Sequence, residues 1–240
     1  MFALIARSVL APLMRLVYRP VVEGRENVPK RGAVILASNH LSFIDSVVIP
    51  LVAPRPVVFL AKAEYFTGTG FKGWLSRSFF TAIDAVPVER GTHRAAQASL
   101  DAALEALNNG NAFGIYPEGK RSLDGRLYRG KPGVAWLALT SGALVVPVAL
   151  AGTEKVQPTG KMVPKVHPVT VTFGPPLDFS RYAGALWDAV RDTDHEHTVL
   201  RAVTDEIMHT LISMTGREYV DRYASDVKKE KPEPPVPAEA

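Results

Sequence analysis

The sequence predicts an α/β fold, namely a single domain with a mixed, largely parallel sheet flanked by helices and preceded by an N-terminal amphipathic helical segment. From residue 20 onward, short apolar runs alternate with longer periodic segments, and turn residues separate them. The 240 residues, 47% hydrophobic and 22% charged, are enough for one sizeable core, which excludes a disordered or collagen-like chain. Cysteine is absent, which excludes disulfides, thiolate metal sites and a cysteine nucleophile.

The first element is residues 1–19, whose pattern is amphipathic. Arg7 and Arg15 interrupt the apolar run, so neither a membrane span nor a signal peptide fits. At about 100° per residue the polar positions fall within an arc of roughly 140°, and the other face is apolar. This pattern is typical of a helix lying in a membrane interface, and an ordinary helix packed on its own domain is the alternative. Pro12 predicts a kink or a division into two short helices.

The elements of the domain, residues 20–227, follow in alternation. Strands are predicted at RPVVEG, GAVILAS, RPVVFLA, NAFGIYP, ALVVPVAL and VTVTFG, and a strand or strand pair at AIDAVPVER. Helices are predicted at IDSVVIPLV, FKGWLSRSFF, THRAAQASLDAALEALNNG, GVAWLALTSG and about Asp194 to Met214. Thr92 is a predicted N-cap and Gly110 a predicted terminator. The three tryptophans, Trp74, Trp136 and Trp187, are expected to serve packing. Residues 228–240 are rich in proline and charge, which predicts a disordered tail.

The net charge of +4 is unevenly placed. Residues 1–31 carry six cations and two carboxylates, so they account for the whole net charge and the remainder sums to zero. A nucleic-acid-binding domain would be expected to carry a basic face with stacking aromatics, so this distribution argues against nucleic acid as a partner. It favours a basic N-terminal segment near an anionic membrane surface.

The most informative stretch runs from Asn39 to Asp45, between a predicted strand and an apolar helix. A hydroxyl is unreactive at neutral pH unless a base removes its proton, and a histidine held by a carboxylate is the usual solution. If the helix begins near Ser42, His40 lies on the preceding loop and Asp45 can reach its imidazole. A capping box, Ser42 to Asp45, with a loop histidine explains the residues equally well.

A second stretch, residues 116–131, follows another predicted strand. From Lys120 to Lys131 it contains five basic residues and Asp124. Arginine offers a fork of donors to phosphate, and glycine lets the backbone approach, so the stretch suits phosphate recognition. A solvated basic loop is the alternative.

Together the two stretches resemble the bacterial PlsC-like lysophosphatidic acid acyltransferase family, which carries an N-H-x-x-x-x-D block and a later F-P-E-G-T-R-S block. Three further segments match in order, over residues 20 to about 175: Lys62-Ala63-Glu64-Tyr65-Phe66, Val86-Pro87-Val88-Glu89-Arg90 and Val145-Val146-Pro147-Val148. Tyr116 replaces the family Phe, Tyr65 replaces Leu, and Lys120 replaces Thr. An added charge at Lys120 is expected to alter head-group preference.

The resemblance implies transfer of a fatty acyl group from acyl-CoA or acyl carrier protein to the free sn-2 hydroxyl of lysophosphatidic acid, without metal or organic cofactor. It makes His40 the general base and Asp45 the residue that orients it. The implied substrate-binding residues are Lys62, Arg90, Glu118, Gly119, Lys120, Arg121 and Ser122. The expected location is the cytoplasmic face of the cell membrane, as a peripheral or monotopic protein.

Alternatives remain open at this point. In the first alternative the acceptor is another lysophospholipid or a glycolipid. In the second, the chain is a catalytically silent lipid-binding module of the same fold. Residues 68–73 match the dinucleotide fingerprint G-x-G-x-x-G, but no strand leads directly into the glycines, so a flexible turn is predicted there. A nucleophile elbow is absent and transfer is expected to be direct, with Ser42 accepting a backbone hydrogen bond at the helix start.

Overall fold

The structure is a computed structural model that describes residues 12, 16–83, 85–89, 92–158, 161 and 163–227. Most of the predicted interfacial segment 1–19, the predicted tail 228–240 and Arg90 therefore lie outside the described residues. Residues 16–18 are helical. No helix in the described ranges is both long and apolar enough to cross a bilayer.

Nine strands and eight helices are described, together with a 3-10 turn at Arg25–Asn27. The strands are β1 Val21–Glu23, β2 Val34–Ser38, β3 Val57–Lys62, β4 Ala85–Val88, β5 Ala112–Ile115, β6 Leu127–Tyr128, β7 Leu144–Ala151, β8 Thr170–Phe173 and β9 Tyr219–Val220. The helices are α1 Asp45–Val52, α2 Glu64–Thr67, α3 Gly70–Ala82, α4 His93–Asn108, α5 Gly133–Ser141, α6 Thr153–Val156, α7 Ala185–Val190 and α8 Glu196–Thr215.

Seven of these strands form one sheet in the order β1-β8-β7-β2-β5-β3-β4, and β6 pairs with β9 in a separate parallel ribbon. Every neighbouring pair in the large sheet is parallel except β7 and β8. The predicted mixed, largely parallel sheet is therefore confirmed, and each predicted strand and helix of the domain has a counterpart. Short elements such as α2, α6 and α7 were not predicted, because each is too brief to establish a periodicity.

The central strand β2 is buried on both faces, which explains why its first four residues are apolar. Successive side chains of a strand point to opposite faces, so Ile35 joins the core against α4, α5 and α8, while Leu36 joins the core against α1. A third, smaller cluster lies under α3 and centres on Phe80. Helices thus cover both faces of the sheet.

Topology places the two informative stretches side by side. Strands β2 and β5 are parallel neighbours, with Ala37 opposite Ile115. The residues that follow them, His40 and Tyr116, therefore emerge at the same edge of the sheet, where α/β folds bind ligands. Lys62 ends β3 at this edge too.

Three expectations need correction. The Ser42 hydroxyl, expected to accept a backbone hydrogen bond at the helix start, instead donates to the Gln157 carbonyl at 2.7 Å, and α1 begins at Asp45. The predicted turn at residues 68–73 is partly helical, because α3 starts at Gly70. Trp187 is buried in the core as expected, but Trp74 is 47% exposed.

Candidate active site

His40 and Asp45 form a direct pair. The imidazole Nδ1 lies 2.8 Å from Asp45 Oδ2, and the His40 side chain is 15% exposed whereas that of Asp45 is buried. Because an ionised carboxylate only accepts, this contact places a proton on Nδ1, and in the neutral imidazole Nε2 is then an acceptor. A histidine in this state can take a proton from a hydroxyl.

The position of Asp45 at the start of α1 fixes its carboxylate. Oδ2 also accepts from the backbone N–H groups of Leu41 at 2.7 Å and Ser42 at 2.8 Å. These bonds hold the loop between β2 and α1 tightly, and the helix N-terminus adds a favourable partial positive charge. The bond from the Ser42 N–H to Asp45 is one of the two hydrogen bonds of the predicted capping box. The same carboxylate oxygen of Asp45 also contacts His40.

Asn39 braces the same loop against the sheet. Its side-chain amide donates to the Leu150 carbonyl at 3.1 Å and its carbonyl accepts from the Leu150 N–H at 2.8 Å, both fully inside the protein. These two hydrogen bonds connect the residue after β2 to the neighbouring strand β7. His40 is the next residue in the chain. The sequence motif contains Asn39 but does not indicate its role; an amide residue directly after a predicted strand is the signal that could have indicated one.

The loop at residues 118–122 forms hydrogen bonds with the backbone of His40. Glu118 Oε1 accepts from the His40 N–H at 3.1 Å, and the Ser122 N–H donates to the His40 carbonyl at 2.7 Å. The second carboxylate oxygen, Oε2, accepts from the Tyr128 N–H at 3.0 Å. Burial raises the pKa of Glu118 to about 7, although the two N–H donors oppose the shift.

Two of the predicted substrate-binding residues, Glu118 and Ser122, have buried side chains. Glu118 is buried with both oxygens used internally, and the Ser122 hydroxyl is buried and donates to Asp124 at 3.1 Å. Neither residue lines the cavity described below, and the hydrogen bonds of both side chains hold the loop in position. Gly119, between them, has φ of 71°, a conformation that side chains rarely adopt and that turns residues 119–121 toward the cavity.

Tyr116 supports the face of the His40 ring. The two rings are stacked with centroids 3.8 Å apart and planes inclined by 10°. The Tyr116 hydroxyl is 2.9 Å from Ser46 Oγ on α1. Burial raises the pKa of Tyr116 well above its ordinary value and the Asp45 charge adds to this, so the phenol stays neutral.

A cavity of about 1430 Å³ opens beside His40 and runs under the sheet edge. Its inner wall is apolar and includes Phe59, Phe80, Ile83, Leu100 and Phe113. Gly114 is needed for this wall, because a Cβ there would lie 2.0 Å from the Phe59 ring on the neighbouring strand. The inner cavity therefore suits an apolar chain.

The mouth of the cavity is cationic. Lys62, Lys120, Arg121 and Arg126 line it. Arg126 is bound to Asp124 at 2.7 Å; burial alone would raise the pKa of Asp124, but hydrogen bonds from Tyr128, Arg126 and Ser122 outweigh it and hold that pKa at about 2. Within the described part of the chain, Lys120 and Arg121 form no ion pair, so their charges are available to an anion.

The structure thus brings together most of the predicted site residues. His40, Lys62, Gly119, Lys120 and Arg121 line one cavity, with Asp45 directly behind His40. No cluster of three metal-ligating side chains occurs among the residues described. The fold and the site define an α/β protein in which a histidine paired with a buried carboxylate lies beside a cavity with an apolar interior.

Comparisons with known proteins agree. A family model described as Acyltransferase matches residues 19–151. The chain is 34% identical over 144 residues to the chloroplastic 1-acyl-sn-glycerol-3-phosphate acyltransferase LPAT1 of Arabidopsis thaliana, covering 60% of this chain and 39% of that protein. It is 31% identical over 139 residues to the 1-acyl-sn-glycerol-3-phosphate acyltransferase of Borreliella burgdorferi, covering 56% and 52%.

Among solved structures, the lysophosphatidic acid acyltransferase PlsC from Thermotoga maritima matches with a TM-score of 0.59 and 24% identity, covering 88% of this chain and 83% of that one. At this identity the likeness establishes the fold. The chain belongs to the Acyltransferase family, as its motifs predicted. The chain matches 39% of the length of the Arabidopsis protein and 52% of the length of the Borreliella protein, which is less than two thirds of either.

Proposed function

We propose that the chain transfers a fatty acyl group from a thioester donor to the sn-2 hydroxyl of lysophosphatidic acid, giving phosphatidic acid for phospholipid biosynthesis. The observation that carries this proposal is the His40–Asp45 pair, held at 2.8 Å at the mouth of a cavity that is apolar inside and cationic outside. An acceptor with a phosphate, a free hydroxyl and an acyl chain matches all three features. Two of the curated relatives described above carry this activity in their names.

In the proposed step, His40 Nε2 accepts the hydroxyl proton while the oxygen attacks the thioester carbonyl. A C–O bond forms, the C–S bond breaks, and the proton on His40 passes to the leaving thiolate. Asp45 holds the ring and stabilises the imidazolium. Because a thioester is already activated, a base with good positioning is sufficient chemistry.

Recognition of the acceptor falls to the cationic mouth. Arg121 offers a forked donor to the phosphate, and Gly119 lets the backbone approach it. Lys120 supplies a charge where the family motif has threonine, and this difference makes another lysophospholipid the second candidate acceptor. The donor is acyl-CoA or acyl carrier protein. We place the enzyme at the cytoplasmic face of the membrane, with residues 1–19 in the interface.

A panel assay tests the proposal. Purified full-length chain is incubated with acyl-CoA or acyl carrier protein and, in turn, lysophosphatidic acid, other lysophospholipids and a glycolipid. The highest kcat/KM is expected with lysophosphatidic acid. A preference for another lysolipid reassigns the acceptor, and no transfer to any acceptor from either donor identifies a silent lipid-binding module.

A further inference from the structure

Helix α3 presents a cluster of large apolar side chains to solvent. Phe71 is 76% exposed, Leu75 54% and Trp74 47%. The rings of Phe71 and Trp74 contact each other, with centroids 5.8 Å apart. Single exposed apolar residues are ordinary, but three on one helix face usually mark a surface that meets an apolar partner.

The charges on α3 frame this apolar face. At about 100° per residue, Trp74, Phe71 and Leu75 span an arc of about 100°. Arg77 lies about 60° beyond one edge of the arc and Lys72 about 60° beyond the other. The helix sequence, GFKGWLSRSFFTA, contains no carboxylate. An apolar arc with a cation on each side is complementary to a surface that is apolar within and anionic at its boundary.

The opposite face of α3 belongs to the cavity wall. Phe80 packs with Ala61 and Ala85 in the small core cluster, and Ile83 caps the helix beside them. Phe80 and Ile83 both line the cavity. One helix therefore has the apolar part of the site on its inside and the exposed apolar arc on its outside.

We propose that the outward face of α3 docks on an anionic phospholipid bilayer. Phe71, Trp74 and Leu75 enter the boundary between head groups and acyl chains, and Lys72 and Arg77 extend to the lipid phosphates. The inference rests on the proposed function, since the acceptor would be a lipid resident in that bilayer. It adds a contact apart from residues 1–19 and brings the chain-binding cavity beside its source of substrate.

A bilayer fits this face better than a protein partner for two reasons. Tryptophan with flanking cations is the composition that membrane interfaces favour. The three exposed apolar side chains also lie on a single helix, which offers little area for a stable protein interface.

Vesicle binding by the full-length chain tests the proposal. Sedimentation with phosphatidylcholine vesicles that contain phosphatidylglycerol should show a partition coefficient that falls by roughly tenfold or more in the double variant Phe71→Ser/Leu75→Ser. Leu186→Ser, an exposed leucine on α7, is the matched control and should leave binding unchanged. Lys72→Gln/Arg77→Gln should weaken binding to these vesicles and not to pure phosphatidylcholine.

Trp74 supplies a direct readout. Lipids brominated near the head group should quench its fluorescence, and Trp74→Phe should remove most of that quenching. Unquenched Trp74 on vesicles to which the chain sediments, or unchanged sedimentation of the folded double variant, would overturn the proposal. Loss of self-association in the double variant with vesicle binding unchanged would overturn it too and assign the face to a second copy.

Activity separates this proposal from the proposed function. With a short-chain acceptor dissolved as monomers, the Phe71→Ser/Leu75→Ser variant should match the parent, and with acceptor embedded in vesicles its rate should fall with its binding. Absence of turnover in both assays would contradict the enzymatic proposal alone, because sedimentation and quenching measure docking without it.

Discussion

The ring of Tyr116 lies flat against the imidazole of His40, 3.8 Å away and inclined by 10°. Asp45 holds the same imidazole at its Nδ1 edge. The ring is therefore fixed in position and in plane by two residues that are 71 positions apart along the chain. The phenol hydroxyl adds a link to Ser46 on α1, the helix that supplies Asp45.

We expect Tyr116 to act as a positioning residue. Replacing it with Leu removes the stack and the aromatic stabilisation of the imidazolium, which is worth about 1 kcal/mol and should lower kcat roughly fivefold with little change in acceptor KM. Tyr116→Phe keeps the stack and loses the hydroxyl, so its kcat should match that of Ser46→Ala. A double-variant cycle checks this: additive losses in Tyr116→Phe/Ser46→Ala would contradict the link.

Glu118 should make folding stability depend on pH. Its folded pKa of about 7 lies above its ordinary value of 4.5, so the folded state holds the proton more tightly than the unfolded chain. The stabilisation is fully present below pH 4.5 and is lost as pH rises toward 7, by on the order of 3 kcal/mol. Urea unfolding at several pH values measures it.

In Glu118→Gln no carboxyl titrates at this position, so the decline between pH 5 and 7 should flatten. Glu105→Gln, at an exposed position on α4, is the control and should decline as the parent does. If Glu118→Gln follows the parent curve, the buried carboxyl does not have the raised pKa.

Arg121 should contribute to acceptor binding. Arg121→Ala removes a forked cation from the cavity mouth, and we expect the acceptor KM to rise on the order of tenfold while the donor KM changes much less. Steady-state kinetics with each substrate varied in turn gives both constants. Arg191→Ala, which removes an exposed arginine far along the chain, serves as control. Equal changes in the two constants would assign Arg121 to structure or to the donor.

Transfer should be direct, without an acyl-enzyme. Ser42 is a hydroxyl only two residues from His40 in sequence, but it is buried, donates to the Gln157 carbonyl and does not line the cavity. Labelled acyl donor without acceptor should leave no label on the chain, and Ser42→Ala should give the same result. Stoichiometric label that disappears on adding lysophosphatidic acid would instead support a covalent intermediate.

Local patterns predicted the order of the elements and the pairing of His40 with Asp45. Strands and helices of the domain have strong periodicity, and a histidine five residues before a carboxylate at a helix start can meet it through local geometry. Neither Asn39 nor Glu118 could be assigned in this way. Their partners, Leu150 and Tyr128, are brought to them by the sheet and by the β6–β9 ribbon.

The same limit applies to the burial of individual residues. Glu118 and Ser122 flank three residues that line the cavity, and the sequence does not reveal that these two side chains are themselves buried. The exposure of Trp74 depends on which face of α3 packs on the sheet, and the helix has aromatic residues on both faces. Such distinctions need tertiary contacts.

The central claim is that His40 is the base that activates the acceptor hydroxyl. It is tested most directly by the turnover of purified, folded His40→Ala with lysophosphatidic acid and a thioester donor, compared with Asp45→Asn. Loss of the base should lower kcat by about 10²–10⁴-fold, and Asp45→Asn, which mainly misorients the ring, should retain more activity. Near-parental turnover by folded His40→Ala would contradict the claim.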